Sequence, residues 1–207
     1  MARQEKRNVD FQIISDWVAP GSRVLDLGCG RGILLDFLNR TKAVNGVGVD
    51  INPRKVLGCV RRGVTVFQGD AMELMASFPE HFFDLVILSR TVEELENPKA
   101  TIEEGLRVGR RLAIGFINFG YWRNRLSFAL QGIRVKNEVY PEVWSDRRPS
   151  NPFSLGEFEA FARESGIRIH RRFLLRGDWE TPCRIWPHLT AGYVLMELSR
   201  ENADRRG

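Results

Sequence analysis

Val24-Leu25-Asp26-Leu27-Gly28-Cys29-Gly30-Arg31-Gly32 is the stretch that decides the fold: an apolar run ends in an acid and then breaks into alternating glycines. The pattern predicts a first strand, a tight turn and a helix start. A backbone that turns sharply against a ligand has no room for a β-carbon and calls for positive φ, and glycine meets both demands. The helix expected from about residue 31 points unpaired N–H groups and the positive end of its dipole into the same crevice. Such a crevice suits the polar part of a nucleotide-like ligand. Ordinary strand-to-helix turns also use glycine, so the flanking sequence has to decide.

On the N-terminal side, Val9, Ile13, Ile14 and Trp17 recur at helical spacing, which predicts an amphipathic helix over 9–18 that covers the sheet. The first strand is expected at 23–27, and the helix at 31–40 buries Ile33, Leu34, Phe37 and Leu38. Val47-Gly48-Val49-Asp50-Ile51 reads as a second strand that again ends in an acid. Asn52 then caps a helix with Pro53 in its first position. A third strand at 64–68 ends at Gly69-Asp70-Ala71, before a short helix around 72–77. The fourth, 83–88, is continuously apolar after Asp84, as in a strand buried on both faces. Asn97-Pro98 opens a helix to about 108, and a fifth strand follows at 112–117. Strands alternating with helices in this way predict an α/β protein with a doubly wound, mostly parallel sheet and helices on both faces. Such a sheet binds ligands at the carboxyl ends of its strands.

The pattern changes at Asn118. A helix is expected at 121–131, with Trp122, Leu126, Ala129 and Leu130 on one face, where covering the sheet is the commoner job. Residues 136–152 hold three prolines and no clear period, which predicts an ordered loop or lid, so 118–152 reads as an insertion in a single domain spanning 1–207. Ser154-Leu155-Gly156-Glu157 has the capping-box spacing and starts a helix that buries Phe158 and Phe161. Strands at 167–175 and 191–198 follow without a helical crossover and so form an antiparallel pair, which brings the sheet to seven strands.

Composition narrows the function classes. The 43% hydrophobic and 28% charged content is that of a soluble globular protein. No apolar stretch approaches the ~18 residues of a membrane span and no signal-peptide pattern follows the charged start, so no membrane role and a cytoplasmic location are expected. Cys29, Cys59 and Cys183 are too scattered for a disulfide framework and form no C-x-x-C pair, so no metal is expected. The net charge of +5 leaves nucleic acid open, but the densest cluster, Arg163, Arg168, Arg171, Arg172 and Arg176, reads as a solvated face.

Three acids close three successive strands. Asp50 lies 18 residues after Gly32, where an acid accepts hydrogen bonds from ribose hydroxyls. Asp70 stands where a carboxylate accepts from an adenine amino group, although an acid in that place also serves as a helix cap. Asp26 precedes the glycines, where it would repel a pyrophosphate and attract an ammonium. A ligand carrying an ammonium, a ribose and an adenine fits this set better than NAD.

The order Asp-Leu-Gly-Cys-Gly-Arg-Gly, Val-Asp-Ile and Gly-Asp-Ala resembles the class I S-adenosylmethionine-dependent methyltransferases. That resemblance implies a Rossmann-like sheet that takes S-adenosylmethionine and releases S-adenosylhomocysteine. It places Asp26, Gly28, Cys29 and Gly30 around the methionine part, Asp50 at the ribose, Asp70 at the adenine, Ile51 and Ala71 as apolar neighbours, and Ser89 at the end of the fourth strand. A narrower resemblance over residues 8–175 is to the methionine-biosynthesis MetW family, carried by 23–32, Arg61-Arg62-Gly63-Val64, 83–89, 106–111, Asn118-Phe119-Gly120 with Trp122-Arg123, and Ile167-Arg168-Ile169. It implies an association with homoserine O-acyltransferase. The departures gather in the insertion, where Tyr121 replaces a common His and 144–149 keeps only part of the family's pattern.

Leu88-Ser89-Arg90-Thr91 stands where enzymes acting on base or glutamine amides carry an Asn-Pro-Pro-Tyr-like turn, which argues against DNA, adenine and release-factor substrates. No catalytic residue is assigned. His81 is expected solvated, His170 and His188 structural, and Trp179 and Trp186 late-sheet packing residues. Glu93 and Glu94 either reach the pocket or form a solvated face, and Tyr121, Tyr140, Trp144 and Asp146 would line a substrate pocket if the lid folds over. Two function classes stay open: methyl transfer to an unidentified small nucleophile, or a non-catalytic S-adenosylmethionine-sensing partner of the acyltransferase. For the second, Trp122, Arg123 and Arg125 supply an aromatic-basic face.

Overall fold

The computed structural model describes residues 2–132 and 151–201, and side chains from residue 9 onward. Its elements are, in chain order, α1 (Ala2–Trp17), β1 (Arg23–Leu27), α2 (Ile33–Lys42), β2 (Asn45–Asp50), α3 (Pro53–Val60), β3 (Thr65–Gln68), α4 (Ala71–Ala76), β4 (Phe83–Ser89), a 3-10 turn (Val92–Glu94), α5 (Pro98–Val108), β5 (Gly109–Ile117), α6 (Trp122–Gln131), α7 (Leu155–Glu164), β6 (Ile167–Leu175), α8 (Pro187–Thr190) and β7 (Tyr193–Arg200).

The strands form one seven-stranded sheet in the order β3-β2-β1-β4-β5-β7-β6. The first five are parallel, and β7 runs antiparallel to both β5 and β6. The chain reverses its winding between β1 and β4, which opens a crevice at their carboxyl ends.

Alternation along the strands divides the core into two layers. Leu25, Leu27, Val86, Leu88, Leu112, Ile114 and Phe116 pack with Met75, Ile102, Leu106, Leu155 and Phe158, so α4, α5 and α7 cover one face. Val24, Leu85, Ile87, Ala113 and Leu195 pack with Ile13, Ile14, Leu34, Leu35, Leu38 and Cys59, so α1, α2 and α3 cover the other. The expected caps form: Asn52 accepts from Arg54 and Lys55 N–H, Asn97 from Ala100 N–H, and Ser154 and Glu157 close a reciprocal capping box.

The differences from expectation have local causes. α2 starts at Ile33 rather than 31, because Gly28, Gly30 and Gly32 all hold positive φ and the third of them is the N-cap. β5 begins at Gly109 rather than 112, since Phe83 pairs with Gly109 at the start of the β4 ladder. α6 forms as expected but does not cover the sheet: it buries none of its side chains among the described residues, and Leu130 is 74% exposed. Hydrogen bonds hold its first turn, Arg125 Nε to Gly120 O at 2.7 Å and Asn124 Nδ2 to Phe119 O at 3.1 Å. Trp179 packs into the sheet as expected, whereas Trp186 is 73% exposed. His81 lies in the turn before β4 and is half-buried, with its backbone N–H donating to Arg107 O and its Nδ1 shielded from water. Most of the expected lid, with Tyr140, Trp144 and Asp146, lies outside the described residues. Among the described residues no helix is long and apolar enough to cross a membrane.

Candidate functional site

The glycine turn is built around two backbone bonds. Gly28 and Cys29 N–H both donate to Val49 O, at 2.8 and 3.0 Å, so the turn after β1 is fixed to the end of β2. Gly28 (φ +72°) also lies under Thr91: a β-carbon there would stand 2.5 Å from Thr91 Cγ2. Gly30 (φ +60°) differs, since a β-carbon there would meet nothing within 4 Å. It therefore faces open space in the crevice, and glycine at this position keeps bare backbone against whatever enters.

Cys29 turns its side chain the other way. Its Sγ packs where a β-carbon on Gly48 would stand and lies 3.8 Å from Cys59 Sγ. Burial, followed by the charge of Asp26, holds the Cys29 thiol well above its ordinary pKa, so it is a neutral packing group. Only its backbone faces the turn.

Asp26 and Asp50 end adjacent strands, and both are buried. Asp50 is occupied: Oδ1 accepts from Asn52 N–H at 2.8 Å, Oδ2 accepts from Gly30 N–H at 3.0 Å, and Lys55 Nζ stands 3.5 Å from Oδ2. Asp26 has no hydrogen bond or ion pair among the described residues. Burial, with the charge of Asp50 second, pushes its carboxyl up to about 7. A buried acid with a raised pKa at the end of a strand is a candidate functional group.

Asp70 does cap a helix. Its Oδ1 accepts from Met72 N–H at 2.7 Å and Glu73 N–H at 3.3 Å, so both bonds use one oxygen. Asp50 pairs with Gln68 in the β2–β3 register, which puts the ends of these strands side by side. Three large apolar side chains stay exposed around them: Ile51 at 74%, Phe67 and Met72. Ala71 packs partly into the core beside them. The acids and glycines thus meet an apolar rim at the same end of the sheet, suited to a flat ring.

At the end of β4, Ser89 Oγ lies 3.2 Å from the Tyr193 hydroxyl. The next residue, Arg90, packs against Trp179 and Tyr193 and pairs with Asp10 of α1. Glu93 is buried rather than solvated: its Oε1 accepts from Ile117 N–H at 2.8 Å, and burial raises its carboxyl to about 7. Glu94 is exposed. Tyr121 sets its hydroxyl against Gly177. Sequence reasoning missed Arg90, Asp10, Thr91, Phe67 and Lys55 as members of this end of the sheet. Only Phe67, an aromatic inside a strand ending in Gly69-Asp70, carried a local signal.

A model of the family described as methionine biosynthesis protein MetW matches residues 8–197. The chain belongs to the MetW family. A bifunctional methionine biosynthesis protein MetXA/MetW of Rhodopirellula baltica is 35% identical over 60% of this chain and 21% of its own length. An ubiquinone biosynthesis O-methyltransferase of Hahella chejuensis is 33% identical over 44% of this chain and 40% of its own. The MetW chain thus spans well under half the length of these relatives. In fold it is similar to an S-adenosylmethionine-dependent methyltransferase structure from Archaeoglobus fulgidus, with TM-score 0.64, 17% identity, and coverage of 96% of this chain and 94% of that one.

Proposed function

We propose that this MetW-family protein binds S-adenosylmethionine in the crevice between β1, β2 and β4 and transfers its methyl group to a small nucleophile, releasing S-adenosylhomocysteine. The observation that carries the reading is Asp26, a buried carboxyl with no partner among the described residues, in the strand that leads into the glycine turn and its open Gly30. An ammonium placed there supplies the missing charge, lowers the carboxyl pKa and removes the cost of burying the acid alone.

The remaining residues divide the ligand. Gly28 and Gly30 let it approach the backbone, and the Cys29 backbone continues that wall. Asp50, held rigid by its two backbone donors, offers its remaining lone pairs to ribose hydroxyls. Asp70 Oδ2, which the helix cap leaves unused, reaches for an exocyclic amino group. Ile51, Phe67 and Met72 flank the base with Ala71 at its edge, and Ser89 borders the methyl end.

When bound, the cofactor supplies a methyl group on a sulfonium, and the protein has only to hold a nucleophile in line with it. A general base is therefore not required for a nucleophile that is already deprotonated or that loses its proton afterwards. The test is incubation with S-adenosylmethionine and candidate acceptors, read as S-adenosylhomocysteine formed. Acceptor-dependent turnover supports the reading, and cofactor binding without turnover on any acceptor removes the catalytic half.

A second reading is favoured by one observation, the relative that carries MetXA and MetW in one chain. On that reading the protein is a non-catalytic S-adenosylmethionine-sensing partner of homoserine O-acyltransferase. Its exposed α6, with Trp122, Leu126 and Leu130 outward, offers an apolar face for the contact. Co-purification of the two proteins, with the acyltransferase assayed with and without S-adenosylmethionine, separates the readings.

A further inference from the structure

Arg90 is a residue at this end of the sheet whose conformation is costly and whose use is unassigned. It directly follows Ser89, and at φ +58° it holds a non-glycine backbone in the left-handed region. Such conformations are disfavoured and cluster where function needs a side chain re-aimed. The Arg90 N–H donates to Gly115 O at 2.8 Å, which pins the turn. The side chain then runs into the protein rather than into water.

Its guanidinium carbon lies 4.9 Å from the ring centroid of Trp179 and 5.3 Å from that of Tyr193, and the two rings stack at 4.9 Å. Nη2 donates to Oδ2 of Asp10, which α1 brings from the far end of the sequence. The cluster adjoins the crevice through the Tyr193 hydroxyl, 3.2 Å from Ser89 Oγ. Gly115 makes room for that meeting, since a β-carbon there would stand 2.4 Å from the Tyr193 hydroxyl and 2.9 Å from Ser89 Oγ.

The way the guanidinium is used is the decisive observation. A carboxylate is held best side-on, by Nε and Nη2 together. Asp10 engages Nη2 and the Tyr193 hydroxyl also bonds the guanidinium, while Nε is buried and has no hydrogen-bond partner. Half of a carboxylate-binding fork is thus idle at a place where buried donors are almost always paired.

We propose that Arg90, backed by Trp179 and Tyr193, anchors the carboxylate of a small organic acid, and that Asp10 holds this place in the ligand-free chain. The inference rests on the methyl-transfer reading and names its acceptor class: a small molecule with a carboxylate handle, entering beside Ser89. The handle takes both Nε and Nη2 in place of the Asp10 carboxylate.

The test uses the full chain saturated with S-adenosylhomocysteine and titrated calorimetrically with phenylacetate and with its uncharged counterpart, phenylacetamide. The expected result is at least about tenfold tighter binding of the acid than of the amide, the size of a charge-assisted bidentate contact. Asp10→Asn, which keeps the shape and removes the competing charge, binds phenylacetate about tenfold tighter than the wild type. Arg90→Lys, which keeps the charge and loses the fork, loses the acid-over-amide preference. Equal binding of acid and amide, no binding of the acid by wild type and Asp10→Asn alike, or an Asp10→Asn affinity that is unchanged or weaker overturns the anchor. If Asp10→Asn does not fold, the wild-type preference and its loss in Arg90→Lys decide. Failure of the wild type to bind S-adenosylhomocysteine overturns the cofactor reading, whereas binding it without any preference for the acid overturns only the anchor.

Discussion

The backbone N–H of Gly30 donates to Oδ2 of Asp50 at 3.0 Å, so the turn after β1 hangs on the acid that ends β2. The other oxygen of that carboxylate takes Asn52 N–H at 2.8 Å and fixes the start of α3. Asp50→Ala strips a charged acceptor from two backbone donors, and such bonds contribute about 1.5–3 kcal/mol each when one partner is charged. Denaturant unfolding is expected to show a loss of about 3–6 kcal/mol, with Asp50→Asn losing less because one oxygen remains.

Asp26 is expected to make cofactor binding depend on pH. Its folded-state carboxyl is pushed by burial to about 7, above the ordinary value of 3.8, so near neutrality it is partly protonated. A bound ammonium favours the carboxylate, so binding releases a proton and tightens as pH rises through 7. The expected slope reaches at most about tenfold per pH unit below pH 7 and flattens above it. Calorimetry in buffers of different ionisation enthalpy checks the released proton. Asp26→Asn is expected to bind more weakly at pH 8 and to lose the slope.

The two glycines of the turn are expected to fail differently. Gly28→Ala meets Thr91 at 2.5 Å in addition to its unfavourable φ of +72°, so it lowers stability by more than the ~1 kcal/mol of the backbone term alone. Gly30→Ala has open space around it, so it shows only the backbone cost in thermal unfolding yet obstructs the crevice and weakens cofactor binding at least about tenfold. Measuring melting temperature and S-adenosylhomocysteine affinity on both variants separates the two effects.

Glu93 supplies a stability signal independent of any ligand. Burial raises its carboxyl from 4.5 to about 7, so the folded state holds a proton that the unfolded state has released. Its contribution is therefore favourable at pH 4 and is lost as pH rises from about 4.5 to about 7. Glu93→Gln keeps an acceptor for Ile117 N–H and cannot ionise, so it is expected to be more stable than the wild type at pH 8 and no more stable at pH 5. Chemical denaturation at the two pH values checks the crossover.

How much of this was legible in the sequence depends on the range of the interaction. Strand ends and caps are local: Asp26, Asp50 and Asp70 each follow an apolar run, and Asn52-Pro53, Asn97-Pro98 and Ser154 to Glu157 announce their helices within four residues. The partition of Leu25 and Val24 to opposite layers follows from alternation alone. Periodicity names the apolar face of α6 but is silent on whether anything covers it, and Leu126 and Leu130 stay exposed. The Arg90–Asp10 pair joins residues 80 positions apart through a left-handed backbone at an arginine, which no local pattern encodes. Asp70 was legible as a helix cap, which forms through Oδ1 alone.

The central claim is that the unpartnered Asp26 and the Gly30–Asp50 turn form an S-adenosylmethionine site. Calorimetric titration of the wild-type protein, Asp26→Asn and Asp50→Ala with S-adenosylmethionine at pH 7.5 tests it most directly. The account predicts saturable one-to-one binding to the wild type with proton release, and at least about tenfold weaker binding to each folded variant. No binding to the wild type, or binding of equal strength in all three proteins, would contradict it.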